Sequence, residues 1–281
     1  MNKFALILGM VFTLSASSVM ACEDFQCAPA PKQKLSISNV VGVNPLAEKI
    51  ANAIVTKQIK KEAKGKFSSK IESYNLKSLK QGIFKSLEIN GRDVEAEGIY
   101  VSTVKFKTIC DYNHIVYNDK DNSLTFKENF AMAYAVQFTE DDLNRTIANS
   151  SYGDLIRKIN GIGNAYKIFN IASNSVSIKD NALYYNLRVV LFNMKQDISI
   201  KTDFKVRNGE IVLNDANISS GVLKLDVNRL NKLINYLNPL EFSMNLFENK
   251  NANMQIKEMT ISDDKINISG IVTVDKDVVM Y

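Results

Sequence analysis

One histidine in 281 residues, His114, excludes any metal centre built from several imidazoles. The chain has no Gly-x-Ser-x-Gly, no His-Glu-x-x-His and no Cys-x-x-Cys, so three common catalytic and redox signatures are missing. Cys110 and His114 are separated by an even spacing that puts both on one face of a strand, yet about 13 Å apart by the strand rise. That is too far for a nucleophile and its base. Gly161-Ile162-Gly163 has neither the preceding strand nor the third glycine of a dinucleotide-binding loop. Glu140, Asp141 and Asp142 stand where a helix start favours carboxylates, and Asp263-Asp264 stand in a turn. These absences point away from an enzyme and call for no cofactor.

Long apolar runs are equally scarce. Phe4 to Ala16 is the one mostly apolar stretch; it follows Lys3 and precedes the small-residue pattern Val19-Met20-Ala21. Residues 1–21 therefore read as an export signal, too short to span a bilayer comfortably. Removing them takes away only Lys3 from a net charge of +5. No later stretch is apolar enough to cross a bilayer, so the mature chain is expected in the periplasm or cell envelope, not across a membrane.

Cysteine is also sparse, and its number, three, is odd for an exported chain. Val19-Met20-Ala21-Cys22 resembles the lipobox of bacterial lipoproteins, in which the cysteine becomes the lipidated first residue. Met20 departs from the small or β-branched residue usual there. If Cys22 is lipidated, Cys27 is left to pair with Cys110. If it is not, Cys22 and Cys27 can close a small loop.

What is present is strand alternation, once repeated. Ala135–Ile147 runs as a strand into a helix, and Val222–Ile234 aligns with it without a gap: Phe138 on Leu225, Leu143 on Leu230, Asn144 on Asn231. Thr139 and Asp226 stand at the junctions as caps, and Thr139 with Asp142 forms a capping box. This predicts a tether over 22–43 and a domain over 44–281 with half-repeats at about 66–150 and 171–238. Asn44-Pro45 opens the longest helix, with an apolar stripe of Leu46, Ile50, Ala53, Ile54 and Ile59 and an end near Lys64-Gly65. Asn90-Gly91 and Asn208-Gly209 read as hairpin turns. Residues 150–170 read as short helices broken at Asn160-Gly161 and Gly163.

One strand stands out. Phe130, Met132, Tyr134, Val136 and Phe138 share one face while Ala131, Ala133 and Ala135 share the other. A strand apolar on both sides is covered on both or lines an apolar cavity. Leu183, Tyr185, Leu187 and Val189 alternate in the same way in the second half. Charge is one-sided between Lys57 and Lys85, with nine lysines against Glu62 and Glu72. Lys57, Lys60, Lys61, Lys64, Lys66 and Lys70 fit anionic headgroups, each lysine near such a surface contributing about 1 kcal/mol. Few aromatics interleave them, so nucleic acid is not the expected partner.

Ser78-Leu79-Lys80-Gln81-Gly82-Ile83-Phe84-Lys85-Ser86-Leu87-Glu88-Ile89, Gly98-Ile99-Tyr100-Val101 and Val136–Asn144 form a pattern with Leu237-Asn238-Pro239-Leu240 and Ile268-Ser269-Gly270. Over about 45–275 it resembles the LmeA-like phospholipid-binding family of bacterial envelope proteins. The resemblance implies a non-enzymatic phospholipid binder serving envelope lipid or glycolipid metabolism or transfer. It also implies a tubular-lipid-binding-like α+β fold: curved antiparallel sheets in two related halves, wrapped around the long N-terminal helix. Phe130, Met132, Tyr134, Val136, Phe138, Leu183, Tyr185, Leu187 and Val189 would then hold acyl chains. The rival reading is an envelope scaffold that binds other proteins and has no lipid cavity.

Overall fold

Alternation of large apolar and polar residues decides this architecture. The computed structural model describes residues 25–30, 43–61, 63–118, 120–121, 123–165, 169–191, 194–220, 240, 251–262 and 264–280. Helix α1 (Val43–Ile59) precedes β1 (Lys64–Glu72), a short α2 (Leu76–Lys80), β2 (Ile83–Phe84), β3 (Ser86–Ala96) and β4 (Ile99–Thr108). A hairpin of β5 (Asn113–Asn118) and β6 (Ser123–Phe126) leads to β7 (Phe130–Thr139), then α3 (Glu140–Ile147) and α4 (Ser150–Ala165). The meander β8 (Phe169–Lys179), β9 (Ala182–Leu191), β10 (Met194–Arg207) and β11 (Glu210–Ser220) follows. The chain closes with β12 (Asn253–Ser262), β13 (Lys265–Val274) and β14 (Val279–Met280).

These strands make three antiparallel sheets, ordered β1-β3-β4-β7-β13-β12, β11-β10-β9-β8 and β14-β6-β5-β2. The fold is mostly β, and this corrects the α+β expectation of sheets wrapped around a long helix. Helix α1 exists but lies against the edge strand β1, where the Ser69 hydroxyl donates to the Asn52 carbonyl at 2.9 Å. Among its described side chains Ile59 is buried and Ala51 and Val55 are half-buried against the core, while Ala53, expected to face inward, is exposed with Lys49 and Lys57; the side chains of Leu46, Ile50 and Ile54 lie outside the described residues. A helix enclosed by sheets is apolar all round, whereas this one turns Lys49, Ala53 and Lys57 to solvent. The helix also stops at Ile59, because Lys64 already belongs to β1.

The large sheet takes β1, β3, β4 and β7 from the first half but β12 and β13 from the C-terminal end. The first copy of the strand–helix unit has its capping box: the Asp142 N–H donates to Thr139 Oγ1 at 3.2 Å, and Asp142 Oδ2 accepts from the Thr139 N–H at 2.9 Å. The second copy, 222–234, lies outside the described residues.

Two glycine readings change. Asn90-Gly91 does not turn; it lies inside β3, and the chain reverses at Glu97-Gly98, whose φ values are +51° and +83°. A Cβ on Gly91 would stand 2.7 Å from both Phe67 and Val104, so this glycine permits close packing. Helix α4 runs unbroken through Gly161 and Gly163. Asn208-Gly209, by contrast, turns between β10 and β11 with both φ values positive.

The free edge of β8 is stitched to the helices by side chains that imitate a neighbouring strand. Asn160 accepts from the Ile171 N–H at 2.7 Å and donates to its carbonyl at 3.0 Å. Asn144 does the same for Val176, at 3.0 and 2.9 Å, and Glu140 accepts from the Ile178 N–H at 2.8 Å. This edge therefore offers few unpaired peptide groups to a foreign strand. Removing both amides, as Asn144→Ala/Asn160→Ala, is expected to cost about 2–5 kcal/mol, because each leaves a peptide donor and acceptor unmatched. Hydrogen exchange should show β8 losing protection before β9. Equal protection would mean that water replaces the amides.

Candidate functional site

Residues 130–138 put their large side chains on the inner face of the six-stranded sheet. Phe130 stacks tilted on Phe126 with ring centroids 5.2 Å apart, and Tyr134 sits against Phe106 at 6.5 Å. Tyr134 pairs across from Gly270 and lies over it, its hydroxyl donating to the Gln255 carbonyl at 3.5 Å. A Cβ at Gly270 would meet that carbonyl at 2.0 Å and the Tyr134 hydroxyl at 2.6 Å, so only glycine leaves room for the phenol.

On β9, Leu183, Tyr185, Leu187 and Val189 also turn inward. The Tyr185 hydroxyl meets that of Tyr152, from α4, at 2.6 Å, and Asn174 donates to Tyr185 at 3.4 Å. Burial pushes the Tyr185 phenol up to about 12, and burial likewise raises Tyr152 and Tyr134. These phenols stay protonated at neutral pH and can both donate and accept.

The structure thus brings all nine expected acyl-contact residues into one continuous apolar cluster. None is more than 7% exposed. They form a packed interior with one another and with Phe106, Phe126 and Tyr152, not an open groove.

The alanine side of β7 behaves differently. Ala131 is buried, but Ala133 and Ala135 are exposed. Cross-strand register places Lys105 beside Ala135 on one side and Ser269 on the other, and Thr103 and Asn267 likewise flank Gln137. The result is a shallow trough of about 220 Å³ with a polar rim. A second open trough, about 310 Å³, lies on the outer face of the four-stranded sheet beside the Arg188–Asp197 ion pair.

The six lysines divide. Lys57, Lys60 and Lys61 are exposed at and after the end of α1. Lys64, Lys66 and Lys70, on β1, reach Glu95 at 2.9 Å, Asp93 at 2.8 Å and Glu72 at 2.6 Å. These contacts hold Asp93 and Glu72 below the usual carboxylate range and raise the Lys64 and Lys70 ammonium groups. Half of the expected headgroup surface is therefore matched by carboxylates of the same sheet, which the residue order alone conceals.

Cys27 and Cys110 form a disulfide with Cα atoms 5.5 Å apart, so Cys110 has no thiol to offer His114. Cys22 lies outside the described residues. His114 is half-buried on β5, across from Ile83. Among the described residues, no group of three or more His, Cys, Asp or Glu side chains could hold a metal ion, and no helix is long and apolar enough to cross a membrane.

Sequence reasoning missed α2 and the surface around Cys110. The signal for α2 was Asn75, whose side chain accepts from the Ser78 N–H at 2.8 Å and so caps the helix. Comparison with protein-family models, curated proteins and solved structures finds no match.

Proposed function

We propose that this chain is an exported, non-enzymatic phospholipid-binding protein of the bacterial cell envelope, as the resemblance to LmeA-like proteins implies. The observation that supports it is the convergence of Phe130, Met132, Tyr134, Val136, Phe138, Leu183, Tyr185, Leu187 and Val189, distant in sequence, on one apolar interior. Acyl chains need no special side chain, only length and dryness, and each buried CH₂ contributes about 0.8 kcal/mol. Measured from water, burial of a chain of about sixteen carbons contributes on the order of 12 kcal/mol. The oxidised Cys27–Cys110 pair fits an exported protein, and it leaves Cys22 available as the lipidated first residue.

The rival is an envelope scaffold that binds only protein. The low exposure of the same nine residues favours it, because an interior already packed has no vacancy for a ligand. Native mass spectrometry after incubation with phospholipid vesicles separates the two. The lipid reading expects adducts at phospholipid masses that are released on denaturation. The scaffold expects the bare chain.

A further inference from the structure

The Cys27–Cys110 disulfide decides which end of the molecule its N-terminal segment leaves from. Cys22 and Cys27 lie five residues apart, a reach of at most about 17 Å in extended chain. The path from Cys22 to Val43, where α1 begins, would reach about 70 Å by the same rise. A membrane attachment at Cys22 therefore brings Cys110 close to the bilayer, whereas without the disulfide it would leave the domain free to tumble.

The surface around Cys110 suits that position. Ile109 is 45% exposed and continues the outward side of Lys105 and Lys107. Asn113 donates to the carbonyls of both Cys110 and Lys85 at 2.8 Å, which ties the Lys85 segment to the disulfide. The Lys85 ammonium stands 5.4 Å from the centre of the Tyr74 ring, and the Tyr74 hydroxyl donates to the Asp111 carbonyl. Helix α2 follows directly after Tyr74 and Asn75 and exposes Lys77 and Lys80. Unlike Lys64, Lys66 and Lys70, none of Lys77, Lys80 and Lys85 is ion-paired among the described residues. The acids nearby are Asp111, Glu72, which is already engaged by Lys70, Glu48, which accepts from the Ser73 N–H and hydroxyl at 2.7 Å, and Glu128, close to Tyr112. Tyr74 itself is buried, so what this end offers a membrane interface is an exposed aliphatic residue next to the disulfide together with exposed lysines that make no ion pair among the described residues.

We propose that this end is a docking surface for an anionic phospholipid bilayer, with Ile109 at headgroup depth, Lys77, Lys80 and Lys85 on the phosphates, and the disulfide fixing the orientation. The inference rests on the envelope reading above only in that the protein meets a membrane. Its test reads vesicle association, not uptake of lipid into the interior, so the two fail separately.

The experiment uses the mature chain with Cys22→Ser, so that the surface alone is measured. Sedimentation is compared on phosphatidylglycerol-containing and pure phosphatidylcholine vesicles. The protein is expected to pellet with the anionic vesicles only. Lys77→Glu/Lys80→Glu/Lys85→Glu is expected to lower that partitioning by at least about tenfold, and Lys57→Glu/Lys60→Glu/Lys61→Glu to leave it within about twofold. The chain has no tryptophan, so Ile109→Trp adds a single fluorophore, expected to shift blue and to be quenched by brominated acyl chains. Equal binding to neutral vesicles, binding lost only in the Lys57 set, or an unquenched tryptophan in bound protein would each overturn the proposal. So would wild-type binding by the Lys77 set, or a protein that pellets with neither vesicle. All of these substitutions are at exposed positions, and circular dichroism checks that the variants fold.

Discussion

Met132→Asp is expected to unfold the protein. Met132 is 2% exposed, in register with Thr108 on β4 and Val272 on β13, and surrounded by the inner faces of the central strands. No cation among the described residues faces that layer, so the carboxylate would be buried without a partner or forced to stay protonated. Either way the cost is several kcal/mol, against a total folding free energy of about 5–15 kcal/mol. Met132→Leu, which keeps the volume and adds no polar atom, should cost less than about 1.5 kcal/mol. Circular dichroism during heating distinguishes the cases: loss of the cooperative transition for Asp, retention for Leu. A folded Met132→Asp with an ordinary transition would mean that the position borders a water-filled space, and the packed interior described above would be wrong.

The second large effect is expected at the disulfide. Cys27 and Cys110 are 83 residues apart, and closing a loop of that size restricts the unfolded chain by about 4–5 kcal/mol in the chain-entropy account, against measured values nearer 2–4. Cys27→Ala/Cys110→Ala should therefore melt about 5–15 °C lower. The loss should appear first around β2 and β5, since Asn113 holds the Cys110 and Lys85 carbonyls together. Hydrogen exchange reads that order directly. Unchanged melting would mean that Cys110 is held by its burial alone.

Several strands could be read from residue order where apolar and polar residues alternate, but the arrangement of the sheets and the place of the N-terminal helix could not. The inward residues of β7 and β9 were legible, as was the capping box at Thr139, since each depends on neighbours within a few residues. What local order did not carry was contact across the chain. Gly91 looked like a turn residue until Phe67 and Val104 closed on it. Ala133 and Ala135 looked like a second buried face, but both are exposed, and Ala135 floors a trough beside Lys105. Lys64 and Lys66 looked unmatched because Glu95 and Asp93 reach them only across the β1–β3 ladder, whereas Lys70 pairs with Glu72, two residues along its own strand. The choice between the two cysteine pairings was likewise a matter of distance, not of spacing.

We propose uptake of phospholipid by this apolar interior. Its most direct measurement is native mass spectrometry of the mature protein purified without detergent, followed by extraction and identification of any released lipid. Adducts at phospholipid masses that disappear on denaturation are expected, with the same lipid recovered in the extract. A bare chain that stays bare after incubation with phospholipid vesicles would contradict it and leave the protein-binding scaffold as the better reading.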